Sequence, residues 1–205
     1  MRAADRISRY SAQERANHWM VALLFVLAAA SGLALFHPAF FFLSNFFGGG
    51  TWDRILHPFL GVLMFLSFLG LMVRFWSHNH YTPADRQWLR RFRDVLNNHD
   101  EGLDTGKYNA GQKTLFWVMV ITTFLLLLSG IIIWQPWFAP YFPIALLRVA
   151  VVAHSLSAWV LIAGIFVHVY AAIWVKGTVR AMTRGDVSRA WAKKHHPAWY
   201  REISK

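Results

Sequence analysis

The sequence contains no cysteine. Disulfides, thiolate catalysis and cysteine-ligated iron–sulfur clusters are thereby excluded. If iron is bound, histidine must hold it. Charge is missing in a patterned way: the stretches 19–36, 56–73, 114–134 and 149–175 contain no Asp, Glu, Lys or Arg. No repeat of fixed period occurs, and no low-complexity tract beyond Gly48-Gly49-Gly50.

What is present fills those four stretches. The chain of 205 residues is 56% hydrophobic, against about 45–50% for soluble domains. The apolar residues are gathered into runs long enough to cross a bilayer. This predicts an all-α integral membrane protein, a four-transmembrane-helix bundle in one domain over residues 1–205. The first run has upstream arginines and Ala28-Ala29-Ala30, the pattern of a signal peptide. Apolar residues continue to Phe36, so an uncleaved first span is expected.

Twenty-one basic residues face ten acidic ones, a net charge of +11. They crowd the N-terminal segment (Arg2, Arg6, Arg9, Arg15), the central segment (among them Arg86, Arg90 and Lys113) and the tail 176–205. The other two connections hold only Arg54 and Arg148. This is the positive-inside asymmetry of a four-span protein with both termini cytoplasmic, not a nucleic-acid-binding patch.

The connections carry their own signals. Residues 1–17 are polar and read as an interfacial helix. Residues 37–53 are aromatic and glycine-rich, suited to the outer interface. Pro83-Ala84-Asp85 marks a helix start, and residues 86–96 read as a short amphipathic helix on the inner surface. Residues 97–106 are turn-rich, and Pro136, Pro140 and Pro143 prevent helix continuation. The aromatic and basic tail suits a membrane surface or a protein partner.

Four histidines sort by depth. His154 and His168 lie fourteen residues apart in the fourth run, just under four turns, and so on nearly one helix face. At about 1.5 Å rise per residue they are roughly 21 Å apart along the axis. Ionisable groups at such depth are costly and functional by default. With cytoplasmic termini, His18 sits at the inner edge of span one and His57 near the outer edge of span two. Depth pairs His57 with His154, and His18 with His168. Two bis-histidine b-type haems, one near each surface, are the economical reading. Covalent haem attachment is excluded, since no Cys-x-x-Cys-His exists.

Competitors and supports remain open at this level. His37 could replace His57, and His78 or His80 could replace His18. His99 falls in a loop, and His195 and His196 are expected as surface contacts of the tail. Gly32, Gly61, Gly130 and Gly164 could admit a flat macrocycle or serve helix packing. Arg54, Arg74, Arg148 and Lys176 could pair with haem propionates or snorkel to the interface. Ser31, Ser129, Ser155 and Ser157 could each take the second nitrogen of a ligating imidazole, and spacing does not choose among them.

Several motifs carry a resemblance over nearly the whole chain. Arg54-Ile55-Leu56-His57-Pro58-Phe59, Lys107-Tyr108-Asn109-Ala110-Gly111-Gln112-Lys113, Trp174-Val175-Lys176-Gly177 and Trp191-Ala192-Lys193-Lys194-His195-His196-Pro197 resemble the cytochrome b (gamma) subunit of respiratory, membrane-bound formate dehydrogenases. Cytochrome b subunits of nickel–iron hydrogenases share the broader four-helix plan and are the nearest alternative.

The resemblance implies a subunit of the bacterial inner membrane with two haem b. It would receive electrons from a periplasmic iron–sulfur beta subunit, upstream of which a molybdenum or tungsten alpha subunit oxidises formate. The acceptor is membrane quinone near the cytoplasmic side, and a higher oligomer of the complex is compatible. The implied axial ligands are His18, His57, His154 and His168. The implied quinone site is Asn109 and Gly111, with Gln112 adjacent and His168 nearby. Asn109 and Gln112 can hydrogen-bond a quinone carbonyl, and Gly111 permits close backbone approach. The plainer reading of Asn109-Ala110-Gly111 is a turn and helix cap. Two other classes stay open: a transporter with histidine proton relays, and a structural anchor without a working quinone site.

Overall fold

The computed structural model describes residues 5–97 and 102–204; Arg2 and His99 lie outside them. Four helices are long and apolar enough to cross a membrane. They are α1 (Ala12–Phe36), α2 (Gly50–Phe75), α5 (Ala110–Ile133) and α6 (Ile144–Trp174). Between α2 and α5 lie α3 (Pro83–Arg90) and α4 (Phe92–Leu96). After α6 come α7 (Thr178–Arg184), α8 (Arg189–His195) and α9 (Pro197–Ile203).

Each long helix starts before its apolar run, and at α1 and α5 the preceding polar residues are used as caps. Ser11 N–H donates to Glu14 Oε2 (2.6 Å) and Glu14 N–H to Ser11 Oγ (3.2 Å), closing the first turn of α1 reciprocally. Asn109 and Gln112 do the same for α5, with bonds of 3.0 and 2.9 Å. In α2 the acidic Asp53 occupies the first turn, where the helix dipole favours negative charge. Pro143 accepts from the N–H groups of Leu146 and Leu147 and opens α6. The segment expected as one helix over 86–96 forms two, interrupted at Arg91 (φ −100°, ψ 21°). Its start at Pro83 follows the sequence signal, with Thr82 N–H and Oγ–H both donating to Asp85 Oδ2.

The N-terminal segment departs from the expected interfacial helix. Arg6–Ser8 is a strand, β1, antiparallel to β2 (Asp186–Ser188), with Ile7 opposite Val187. Val187 is buried, and Arg6 bonds Asp186 at 2.7 Å, so a short apolar and ionic pairing with the tail replaces local helix.

The chain divides into two compact units. The first comprises Met1–Arg15, Arg74–Trp117 and Val167–Lys205. Its core is Ala181, Val187, Ala192 and Trp199, with Ile7, Tyr10, Trp191 and Tyr200 packed against it. The second comprises Ala16–Val73 and Val118–Phe166 and contains most of each long helix. Within it, edge-to-face ring pairs join α1 to α6 (Phe36 with Trp159) and α2 to α5 (Phe65 with Phe124), and Phe59 on α2 meets Trp134 just past the end of α5. Only 11–22% of each span's most apolar window is buried. Leu23, Val26, Leu63, Leu128, Val160 and Phe166 are among the large apolar residues left exposed. Such a surface is a liability in water and is correct against lipid tails.

Candidate functional site

In the second unit, His57 on α2 and His154 on α6 come together. Their ring centres are 6.2 Å apart and their planes cross at 76°. One metal ion bonded to the facing nitrogens of two imidazoles, at about 2.0–2.1 Å per bond, separates ring centres by roughly 6 Å. The spacing therefore suits a single shared iron. Among the described residues no cluster of three or more His, Cys, Asp or Glu could hold a metal ion. A two-ligand axial arrangement, with a macrocycle supplying the equatorial donors, fits the donor set.

The second nitrogen of each ring is already engaged. Ser31 Oγ lies 2.8 Å from His57 Nδ1, and Ser129 Oγ lies 3.0 Å from His154 Nδ1. Each hydroxyl spends its only hydrogen on its own helix: Ser31 donates to Ala28 O (3.0 Å), Ser129 to Leu125 O (2.5 Å). The serine oxygens are thus acceptors, so Nδ1–H donates in both rings and Nε2 keeps its lone pair. That is the tautomer a metal-binding imidazole requires. Of the four serines named from the sequence, these two are at the rings. Ser155 is half-buried and donates to Val151 O.

The competitor His37 is committed elsewhere. It caps the 3₁₀ helix Pro38–Phe47, its Nδ1 accepting from Ala39 N–H at 3.2 Å. His18 lies in the second turn of α1 and His168 in the last third of α6; both are half-buried, and they fall in different units. His78 sits 3.4 Å from Ser77 Oγ, and His80 packs edge-on to Trp76. Arg54, Arg74, Arg148 and Lys176 are all exposed.

In the first unit, Asn109 and Gln112 are half-buried and their side-chain oxygens are taken by the α5 cap. The space above Gly111 is filled: a Cβ there would come within 2.9 Å of Trp88 Cη2. Next to Asn109, burial lowers the pKa of Lys107 and pushes the Tyr108 phenol well up.

Three features escaped sequence reasoning. Arg9 is buried, with Nη2 donating to Lys107 O (2.6 Å), and lies over the rings of Trp199 (4.8 Å) and Trp191 (5.1 Å). His196, expected at the surface, is only 3% exposed. Its Nδ1–H donates to Gly106 O (2.7 Å), and its Nε2 accepts from Arg9 (3.3 Å). Burial, reinforced by Arg9, lowers its pKa to about 3. Asp53, one turn before His57, is fully buried, and neither oxygen has a hydrogen-bond partner among the described residues. A basic, aromatic tail gave no sign that it would fold onto the N-terminus. A lone aspartate at a helix start gave no sign of its burial.

Four apolar spans carrying an intramembrane histidine pair with iron-ready tautomers define a membrane cytochrome. The chain belongs to the prokaryotic cytochrome b561 family, which it matches over residues 9–185. It is accordingly a multi-pass protein of the bacterial inner membrane, with haem b as its cofactor. It is 51% identical over 205 residues to the formate dehydrogenase cytochrome b556(fdo) subunit of Escherichia coli K12, covering 100% of this chain and 97% of that one. The nitrate-inducible formate dehydrogenase cytochrome b556(Fdn) subunit of the same strain is 44% identical over 206 residues, covering 100% and 95%. The formate dehydrogenase cytochrome b556 subunit of Haemophilus influenzae is 43% identical over 198 residues, covering 96% and 83%.

Proposed function

We propose that the chain is the membrane-anchoring, di-haem cytochrome b subunit of a formate dehydrogenase. It accepts electrons from a periplasmic iron–sulfur beta subunit, fed by a molybdenum or tungsten alpha subunit, and delivers them to membrane quinone near the cytoplasmic side. Full-length identity to three formate dehydrogenase subunits supports the assignment to that complex. The observation that carries the ligand assignment is the 6.2 Å spacing of His57 and His154.

Haem b, when bound, supplies one-electron chemistry at iron. The chain's residues position it. His57 and His154 offer Nε2 lone pairs for the outer haem. His18 and His168, paired by their depth along the spans, hold the inner one. Asn109 and Gln112, with their oxygens committed to the α5 cap, offer amide N–H groups to a quinone carbonyl. Gly111, whose open face Trp88 covers, and His168 are the remaining residues of that proposed site. With both termini cytoplasmic, the acceptor takes protons from the inside while electrons arrive from outside. Moving one elementary charge against the membrane potential costs about 2.3 kcal/mol per 100 mV, so this arrangement conserves energy.

The test is a reduced-minus-oxidised spectrum of the full chain purified with its native subunits. Two low-spin b haems reducible by formate are expected, one lost in His57→Ala and the other in His168→Ala. Both haems surviving His168→Ala would remove that ligand, and a complex without a formate-oxidising subunit would overturn the complex assignment.

A further inference from the structure

His57 and His154 are each held by the same two-residue device on a neighbouring helix. In α1, Ser31 accepts from His57 Nδ1, and a Cβ on the next residue, Gly32, would approach His57 Cε1 to 3.0 Å. In α5, Ser129 accepts from His154 Nδ1, and a Cβ on Gly130 would approach His154 Cε1 to 3.3 Å. The serines precede their histidines by 26 and 25 residues. Ser31 is fully buried and Ser129 is 5% exposed. Each ring is therefore met twice: its nitrogen by a hydrogen bond, its edge by a glycine where an added Cβ would crowd the ring.

We infer that Ser31-Gly32 and Ser129-Gly130 are matched positioning clamps that hold the two imidazoles of the outer site nearly perpendicular, at the observed 76°. The inference rests on the reading of His57 and His154 as axial ligands. Its consequence is electronic. Parallel axial imidazoles both donate into one of the two iron orbitals that lie perpendicular to the macrocycle plane, splitting them. Crossed imidazoles donate one into each and leave the two nearly equal in energy. A low-spin ferric centre with crossed ligands gives an electron paramagnetic resonance signal dominated by one low-field feature. Parallel ligands give a three-line rhombic pattern. The clamps thus select between two states that identical ligands could adopt. The Nδ1–H···O bonds also raise ligand basicity, which favours the ferric state.

The experiment uses the fully oxidised, haem-loaded chain in its native complex. His57→Ala and His154→Ala identify the outer haem's signal by its loss. If neither variant removes a signal, the ligand reading fails, independently of the clamps. In the unmodified protein the identified signal should be the single low-field type; a rhombic one overturns the clamp inference with no variant needed. Gly32→Ala should turn the His57 ring and shift the signal towards rhombic, more than Gly130→Ala does, because its added methyl has 0.3 Å less room. Ser31→Ala and Ser129→Ala should each raise the outer haem's midpoint potential, and Ser129→Thr, which keeps the hydroxyl, should restore it. Serines that only pack helices would move neither signal nor potential, and that result would overturn the proposal.

Discussion

Asn109 caps α5, and the proposed function gives the same side chain a second task that can be separated from the first. Its oxygen caps α5, and its amide nitrogen is free of that task. Asn109→Ser keeps an N-cap oxygen, so helix stability should change by only a few tenths of a kcal/mol, whereas Asn109→Ala should cost about 1 kcal/mol. Both remove the amide donor, so both should slow quinone reduction while formate still reduces the haems. Normal quinone turnover in Asn109→Ser would leave Asn109 with the cap alone. His196 makes a pH-dependent contribution. Its pKa in the fold is about 3, against an ordinary value of 6.5, so below pH 6.5 the unfolded chain binds a proton that the fold refuses. Stability is unaffected above that value and falls as the pH drops towards 3, by roughly 2 kcal/mol between pH 7 and pH 5. Acid titration of the intrinsic tryptophan fluorescence in the wild type and in His196→Gln, whose side chain does not titrate, should show the difference; equal acid sensitivity would exclude His196 as the cause.

At the scale of elements, helix starts were written in the sequence as capping boxes. Ser11 with Glu14, Thr82 with Asp85 and Asn109 with Gln112 all have the spacing that lets side chain and backbone satisfy each other locally. What the spacing could not reveal was Lys113 reaching from α5 to Asp85 on α3. That pair is 2.7 Å long, with both side chains no more than 7% exposed, and Lys113 also donates to His80 O. Breaking it one-sidedly should cost about 3–5 kcal/mol, because the remaining charge is buried alone. Asp85→Ala should therefore lower the melting temperature of the detergent-purified protein sharply, while Lys113→Met combined with Asp85→Leu recovers most of it. An additive double variant would show that the two charges do not depend on each other.

For the whole molecule, the distribution of positive charge sets an expectation for topology. With no native cysteine, a single introduced thiol reports its own side of the membrane. In spheroplasts an impermeant maleimide should label Tyr141→Cys, at an 82% exposed position between α5 and α6, and leave Ser204→Cys unlabelled until the membrane is opened. The reverse pattern would invert the electron path. The exposed apolar faces of the four spans also make the fold dependent on detergent or lipid, since the hydrophobic term that closes a soluble core is here satisfied by the solvent.

Spans and their number could be read from the sequence, because membrane insertion depends on the hydrophobicity of contiguous stretches and on charge at their ends. Both are one-dimensional properties. The helix starts at Pro83 and Asn109 were legible for the same reason: the cap partners lie three residues away. Only the tertiary structure decided which serines meet His57 and His154, that Gly32 and Gly130 face those rings, and that Arg9 and His196 are buried together. Those contacts join residues 24 to 187 positions apart. Their geometry depends on how neighbouring helices rotate against each other, for which apolar spans exposed on most faces carry little periodic signal.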